Sequence, residues 1–108
     1  MIIGTFQFEN LIRNRVPFHL IALQEPPSHL GQVMDRIQIK KLLRRVSNSE
    51  TLRSLAQEAQ WRLQDPFVFV CQTGQESLRL KQDWEILGYI NSCVVEGGWN
   101  LLEKEAFR

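Results

Sequence analysis

Little cysteine, little net charge and no long apolar run mark this sequence, and each shortage excludes a class of protein. Cysteine occurs only at Cys71 and Cys93 in 108 residues. Two are too few for a disulfide framework, so a reducing, cytoplasmic setting is expected. Histidine is equally scarce. His19 and His29 form no Cys/His set at zinc spacing, and neither a metal nor another cofactor is expected. The formal net charge is +1, which gives no whole-chain reason to expect a nucleic-acid or membrane partner. No apolar run approaches the ~20 residues of a membrane span. Residues 1–5 lack a basic segment followed by an apolar one, so no export signal is expected. There is no nucleotide-binding loop, internal repeat, low-complexity tract or dividing linker. What remains is ordinary: 44% apolar and 23% charged residues, enough for one folded domain over 1–108 with one core.

The most informative stretch is Phe67-Val68-Phe69-Val70-Cys71-Gln72-Thr73-Gly74-Gln75-Glu76-Ser77. Four β-forming apolar residues run into a cysteine, a polar loop with a central glycine follows, and a helical pattern begins. The run reads as a buried parallel strand with Cys71 at its carboxyl end, where open α/β sheets bind ligands. Amides at a helix start favour negative charge on a nearby sulfur, and the anion is the nucleophile.

Along the rest of the chain, Thr5 is read as capping a short helix with Phe8, Leu11 and Ile12 on one face. Residues 18–23 read as a buried strand and 24–28, with two adjacent prolines, as loop. Residues 36–39 alternate like a short strand, and 40–46 read as basic helix. The spacing of Ser47 and Glu50 suggests a capping box before a helix carrying Leu52, Leu55, Ala56, Ala59 and Leu63, ended by Asp65-Pro66. A helix is expected over 77–87, closed by Gly88. A strand over 92–95, a turn at Gly97-Gly98 and a helix over 99–107 complete the chain. This alternation predicts an α/β fold, a mostly parallel central sheet flanked by helices.

Three features, in this order, make the chain resemble the single-domain rhodanese-like sulfurtransferases. They are residues 18–23 followed by Gln24-Glu25-Pro26; the strand, Cys71 and the loop to Ser77; and Leu87-Gly88-Tyr89 followed by Val94-Val95-Glu96-Gly97-Gly98-Trp99. The resemblance implies the rhodanese-like three-layer sandwich. It also implies transfer of sulfane sulfur through a persulfide on Cys71, with Gln72, Thr73, Gly74, Gln75, Glu76 and Ser77 forming the substrate-binding loop. Its partners are then a small sulfur donor or a thiol or persulfide protein acceptor. The chain departs from the pattern at Ala22, where the family usually has aspartate, at Gln24, often arginine, and at Gln32-Val33-Met34-Asp35. It departs also at Glu76, basic in many members, and that charge predicts low activity on thiosulfate. The alternative is a rhodanese-like domain that no longer catalyses and serves as a regulatory or protein-binding module.

The chemistry is covalent nucleophilic catalysis in two steps. A loop of backbone amides closed by a helix N-terminus can stabilise the thiolate and hold an anionic donor without basic side chains. Gly74 lets that loop curl, and Thr73 and Ser77 add hydroxyls. Blander readings stand beside these. Cys71 can be a packed small hydrophobe, Cys93 reads as core rather than a resolving thiol, and 40–45 reads as a solvated basic face. Arg79 and Lys81 are the nearest basic candidates for donor binding. A cysteine phosphatase needs arginine where Ser77 stands, so that reading is set aside.

Overall fold

Strands as short as four residues hold the middle of this sheet because their side chains are largely buried on both faces, as a covered parallel sheet requires, while the two edge strands stay partly exposed. A computed structural model describes residues 1–39 and 42–106. Among the described residues ten elements alternate: β1 (Ile2–Ile3), α1 (Thr5–Arg13), β2 (His19–Ala22), α2 (Ser28–Arg36), β3 (Leu43–Arg45), α3 (Ser49–Ala59), β4 (Phe67–Val70), α4 (Gln75–Ile86), β5 (Ser92–Val95) and α5 (Gly98–Glu105). The sheet order is β1-β5-β4-β2-β3, and every pairing is parallel. At the centre, Leu20 pairs with Val68 and Ala22 with Val70, while Phe69 pairs with Val94 on the other side of β4.

Alternation along these strands sorts side chains into two cores. Leu20, Ala22, Val68, Val70 and Val95 pack with Phe8 of α1, Leu30 and Met34 of α2, and Trp99 and Leu102 of α5. Ile21, Phe67, Phe69 and Val94 pack with Leu52 and Ala56 of α3 and with Leu80 and Trp84 of α4. Helices therefore cover both faces, and the molecule is the three-layer α/β sandwich that the pattern predicts.

Several local expectations are corrected. The segment 36–39 is not a strand: Arg36 closes α2, and the chain turns through Gln38 at φ 63°. The α2 helix starts directly behind Pro27, which occupies its N-cap, and buries Leu30 and Met34 at helical spacing. The basic helix expected over 40–46 is absent over its described part, because Leu43–Arg45 pairs with β2 as an edge strand. Lys40 and Lys41 lie outside the described residues. Gly4, not Thr5, caps α1. Asn48, not Ser47, caps α3, its Oδ1 accepting from the Thr51 amide at 2.9 Å. That helix stops at Ala59, where Gln60 turns left-handed at φ 58°, so Leu63 falls outside it and is exposed. The α4 helix begins two residues earlier than expected and α5 one earlier, and Phe107 lies outside the described residues. The two-residue β1 is too short to carry a pattern of its own.

Candidate active site

Four fully buried residues carry β4 to the carboxyl edge of the sheet, and Cys71 is the first residue beyond it. Its position continues the side of Phe67 and Phe69, toward α4. Gly74 then adopts φ 98° as the N-cap of α4, a conformation that glycine reaches without strain. The resulting curl brings the start of α4 back over the sulfur. The Gly74 N–H donates to Cys71 Sγ at 3.0 Å, and the Ser77 N–H donates at 3.3 Å. The thiol in turn donates to Ser77 Oγ at 3.2 Å, and the Ser77 hydroxyl donates to the Gly74 carbonyl at 3.2 Å. Both Cys71 and Ser77 are buried.

A second element closes the site from the other side. The α5 helix starts against the loop: the Trp99 amide donates to the Cys71 carbonyl at 2.8 Å and the Asn100 amide to the Gln72 carbonyl at 3.1 Å. This approach needs glycine at position 98, where a Cβ would stand 2.0 Å from the Cys71 carbonyl oxygen. The segment after β2 supplies the third wall. Gln24 Oε1 accepts from the Gln72 amide at 2.7 Å, its Nε2 donates to Glu76 Oε2 at 3.2 Å, and its carbonyl accepts from the Trp99 indole at 2.8 Å. The Gln72 side chain donates to Asn100 Oδ1 at 2.5 Å.

The seven residues expected at the site thus divide by role. Gly74 and Ser77 reach the sulfur of Cys71. Gln72 and Glu76 turn to Gln24. Thr73 and Gln75 are exposed and make no hydrogen bond to the sulfur. Arg79 is exposed, and Lys81 pairs with Glu85, so neither supplies a cation to the loop. The charge of Lys81 is held on by the Glu85 carboxylate, which pushes its pKa up. Cys93 is half-buried at the core margin, 3.7 Å from the Phe67 carbonyl, and burial pushes its thiol up. His19 stands at the other end of the sheet, 3.1 Å from Asp65. Sequence reasoning did not assign Gln24, Trp99 or Asn100 to the site. The signal available was the double glycine before Trp99, which marks a backbone that must come close to something.

No family model matches the chain, and no curated protein matches it. Fold and site together define an α/β domain with a cysteine cradled by a helix start at the carboxyl edge of its central strand. Among the described residues no helix is long and apolar enough to cross a membrane.

Proposed function

We propose that this chain is a rhodanese-like sulfurtransferase that moves sulfane sulfur through a persulfide on Cys71. The observation that carries the reading is the pair of amide donors at Sγ, from Gly74 and Ser77. Both belong to the positive end of α4, where backbone dipoles favour an anion. The Ser77 hydroxyl suits both states of the sulfur. It accepts from the thiol, and once the proton leaves it can rotate from the Gly74 carbonyl to donate to the thiolate.

In the first step the Cys71 thiolate attacks the outer sulfur of a persulfide donor R–S–SH. A new S–S bond forms at Sγ, the donor's own S–S bond breaks, and R–S⁻ leaves. In the second step an acceptor thiolate attacks the outer sulfur of the Cys71 persulfide, the S–S bond to Sγ breaks, and the thiolate returns. The cradle holds the negative charge that appears at Sγ at both ends of this cycle. Glu76 places a carboxylate on the loop, and no loop side chain is cationic, so a thiol-bound persulfide suits the site better than dianionic thiosulfate. A small persulfide or a persulfide-bearing protein is the expected donor, a thiol the expected acceptor, and the reducing cytoplasm the expected setting.

One observation favours a second reading, a regulatory or protein-binding domain of the same fold. Cys71 is only 1% exposed, so a donor reaches the sulfur only when the loop opens. Incubation with cysteine persulfide or thiosulfate, followed by intact mass, separates the two. Wild type is expected to gain one sulfur atom that cyanide removes as thiocyanate, and Cys71→Ser to gain none. A folded wild type that stays unmodified with every donor would replace the enzyme with the binding module.

A further inference from the structure

At the end of the sheet opposite Cys71, the molecule carries a groove of about 1020 Å³ that sulfur transfer does not use. Its walls are the carboxyl ends of α1 and α2, the segment leading into β2, the turn after α2 and Leu42 just before β3. The floor is apolar, with buried Phe18 and Ile39, and Val16, Ile37 and Leu42 add side chains that are 39%, 42% and 45% exposed. Three large apolar side chains from separate segments thus converge on one trough while still open to water, as they do in ligand sites rather than on an ordinary polar surface.

The rim is of one sign. Arg13, Arg15 and Arg36 line the groove, and among the described lining residues none is acidic. Arg13 is paired with Glu9 at 3.2 Å, but among the described residues Arg15 and Arg36 form neither an ion pair nor a side-chain hydrogen bond. Arg15 also holds φ 52° and Gln38 φ 63°, just past the ends of α1 and α2, where glycine is the ordinary choice. Both positions keep a polar side chain at the groove at the cost of a left-handed backbone.

We propose that this groove binds an amphiphile with an aliphatic chain and an anionic head, the chain lying on Val16, Ile37 and Leu42 and the head between Arg15 and Arg36. The apolar floor supplies affinity in proportion to chain length, and the arginines select the sign of the head. The site does not depend on the chemistry at Cys71.

The test uses the full chain and sodium decanoate below its micelle concentration, followed by backbone amide NMR shifts. Decanoate is expected to shift Val16, Ile37 and Leu42 saturably. Acetate is expected not to, and decyltrimethylammonium is expected to bind about tenfold more weakly, while affinity should rise up to about fourfold per added methylene as long as the chain stays on the floor. Arg15→Glu combined with Arg36→Glu should weaken binding by about tenfold, roughly two surface charge contacts. Arg15→Gly removes one guanidinium while relieving the backbone, so a folded variant is secured, and it should weaken binding by about threefold. Shifts elsewhere, equal binding of the cationic detergent, or unchanged affinity in the folded variants would overturn the proposal. Groove shifts produced by an acidic amphipathic peptide and not by decanoate would also overturn it, and would assign the groove to a partner protein.

Discussion

Two cysteines of similar appearance in the sequence have opposite surroundings in the fold. Cys71 receives two backbone N–H donors, whereas Cys93 faces a carbonyl oxygen and its thiol is pushed up by burial. With Cys71→Ser, iodoacetamide labelling of Cys93 is therefore expected to be slow at pH 7 and to accelerate only above the usual thiol range; fast neutral labelling would contradict this. Glu76 was legible as a departure, but where its carboxylate goes was not. It turns to Gln24, a residue 52 positions earlier that only the sheet brings alongside. Glu76→Arg is expected to raise thiosulfate kcat/KM on the order of tenfold at low ionic strength and to lose most of that gain in salt. Glu76→Gln should move less in the same direction. A steady-state assay at two ionic strengths checks both, and no change in the Arg variant would mean that this charge does not limit the site.

Among the elements, those with a strong local pattern were readable and those defined by partners were not. The β4 run follows from continuous apolar residues, the 92–95 strand from Cys93-Val94-Val95, and α3 from its periodicity. The β3 strand escaped because Leu43-Arg44-Arg45 has no strand signature; pairing with β2 decides it. The α2 helix escaped because Pro26-Pro27 reads as a break, while in the fold Pro27 is the N-cap, outside the helix interior that proline disrupts. The joint between α5 and the loop after Cys71 rests on Gly98. Gly98→Ala combines a φ of 59° with a clash at the Cys71 carbonyl, and a loss of about 3 kcal/mol or more is expected in urea unfolding, together with loss of persulfide formation. Asn48→Ala, remote from the site, removes the cap of α3 and should cost about 1 kcal/mol with persulfide formation unchanged. Equal stability of the two variants would contradict this view of the joint.

Across the whole molecule, the parallel sheet sets two different surfaces at its two ends. The carboxyl edge holds Cys71, whose loop carries uncharged and acidic side chains, and the amino edge holds the arginine-rimmed groove. A net charge of +1 conceals this division, which is why composition gave no hint of a charged surface. The sandwich itself was legible, since alternation of elements constrains topology tightly. The amino edge also carries the His19–Asp65 pair. The Arg62 amide, and then the His19 imidazole, hold the Asp65 carboxyl below the usual carboxylate range. A depressed carboxyl contributes stability that is present above its unfolded value, about 3.9, and is lost as pH falls through the folded value. Asp65→Asn is therefore expected to be less stable than wild type at pH 7 and to close part of that gap at pH 3, as urea midpoints would show. A gap independent of pH would remove the linkage.

The central claim is that sulfur resides on Cys71. The most direct measurement is peptide mass mapping after brief exposure of the folded protein to a persulfide donor and alkylation. The account predicts one extra sulfur on the peptide that contains Cys71 and none on the peptide that contains Cys93. Extra sulfur on Cys93, or on neither cysteine, would contradict it.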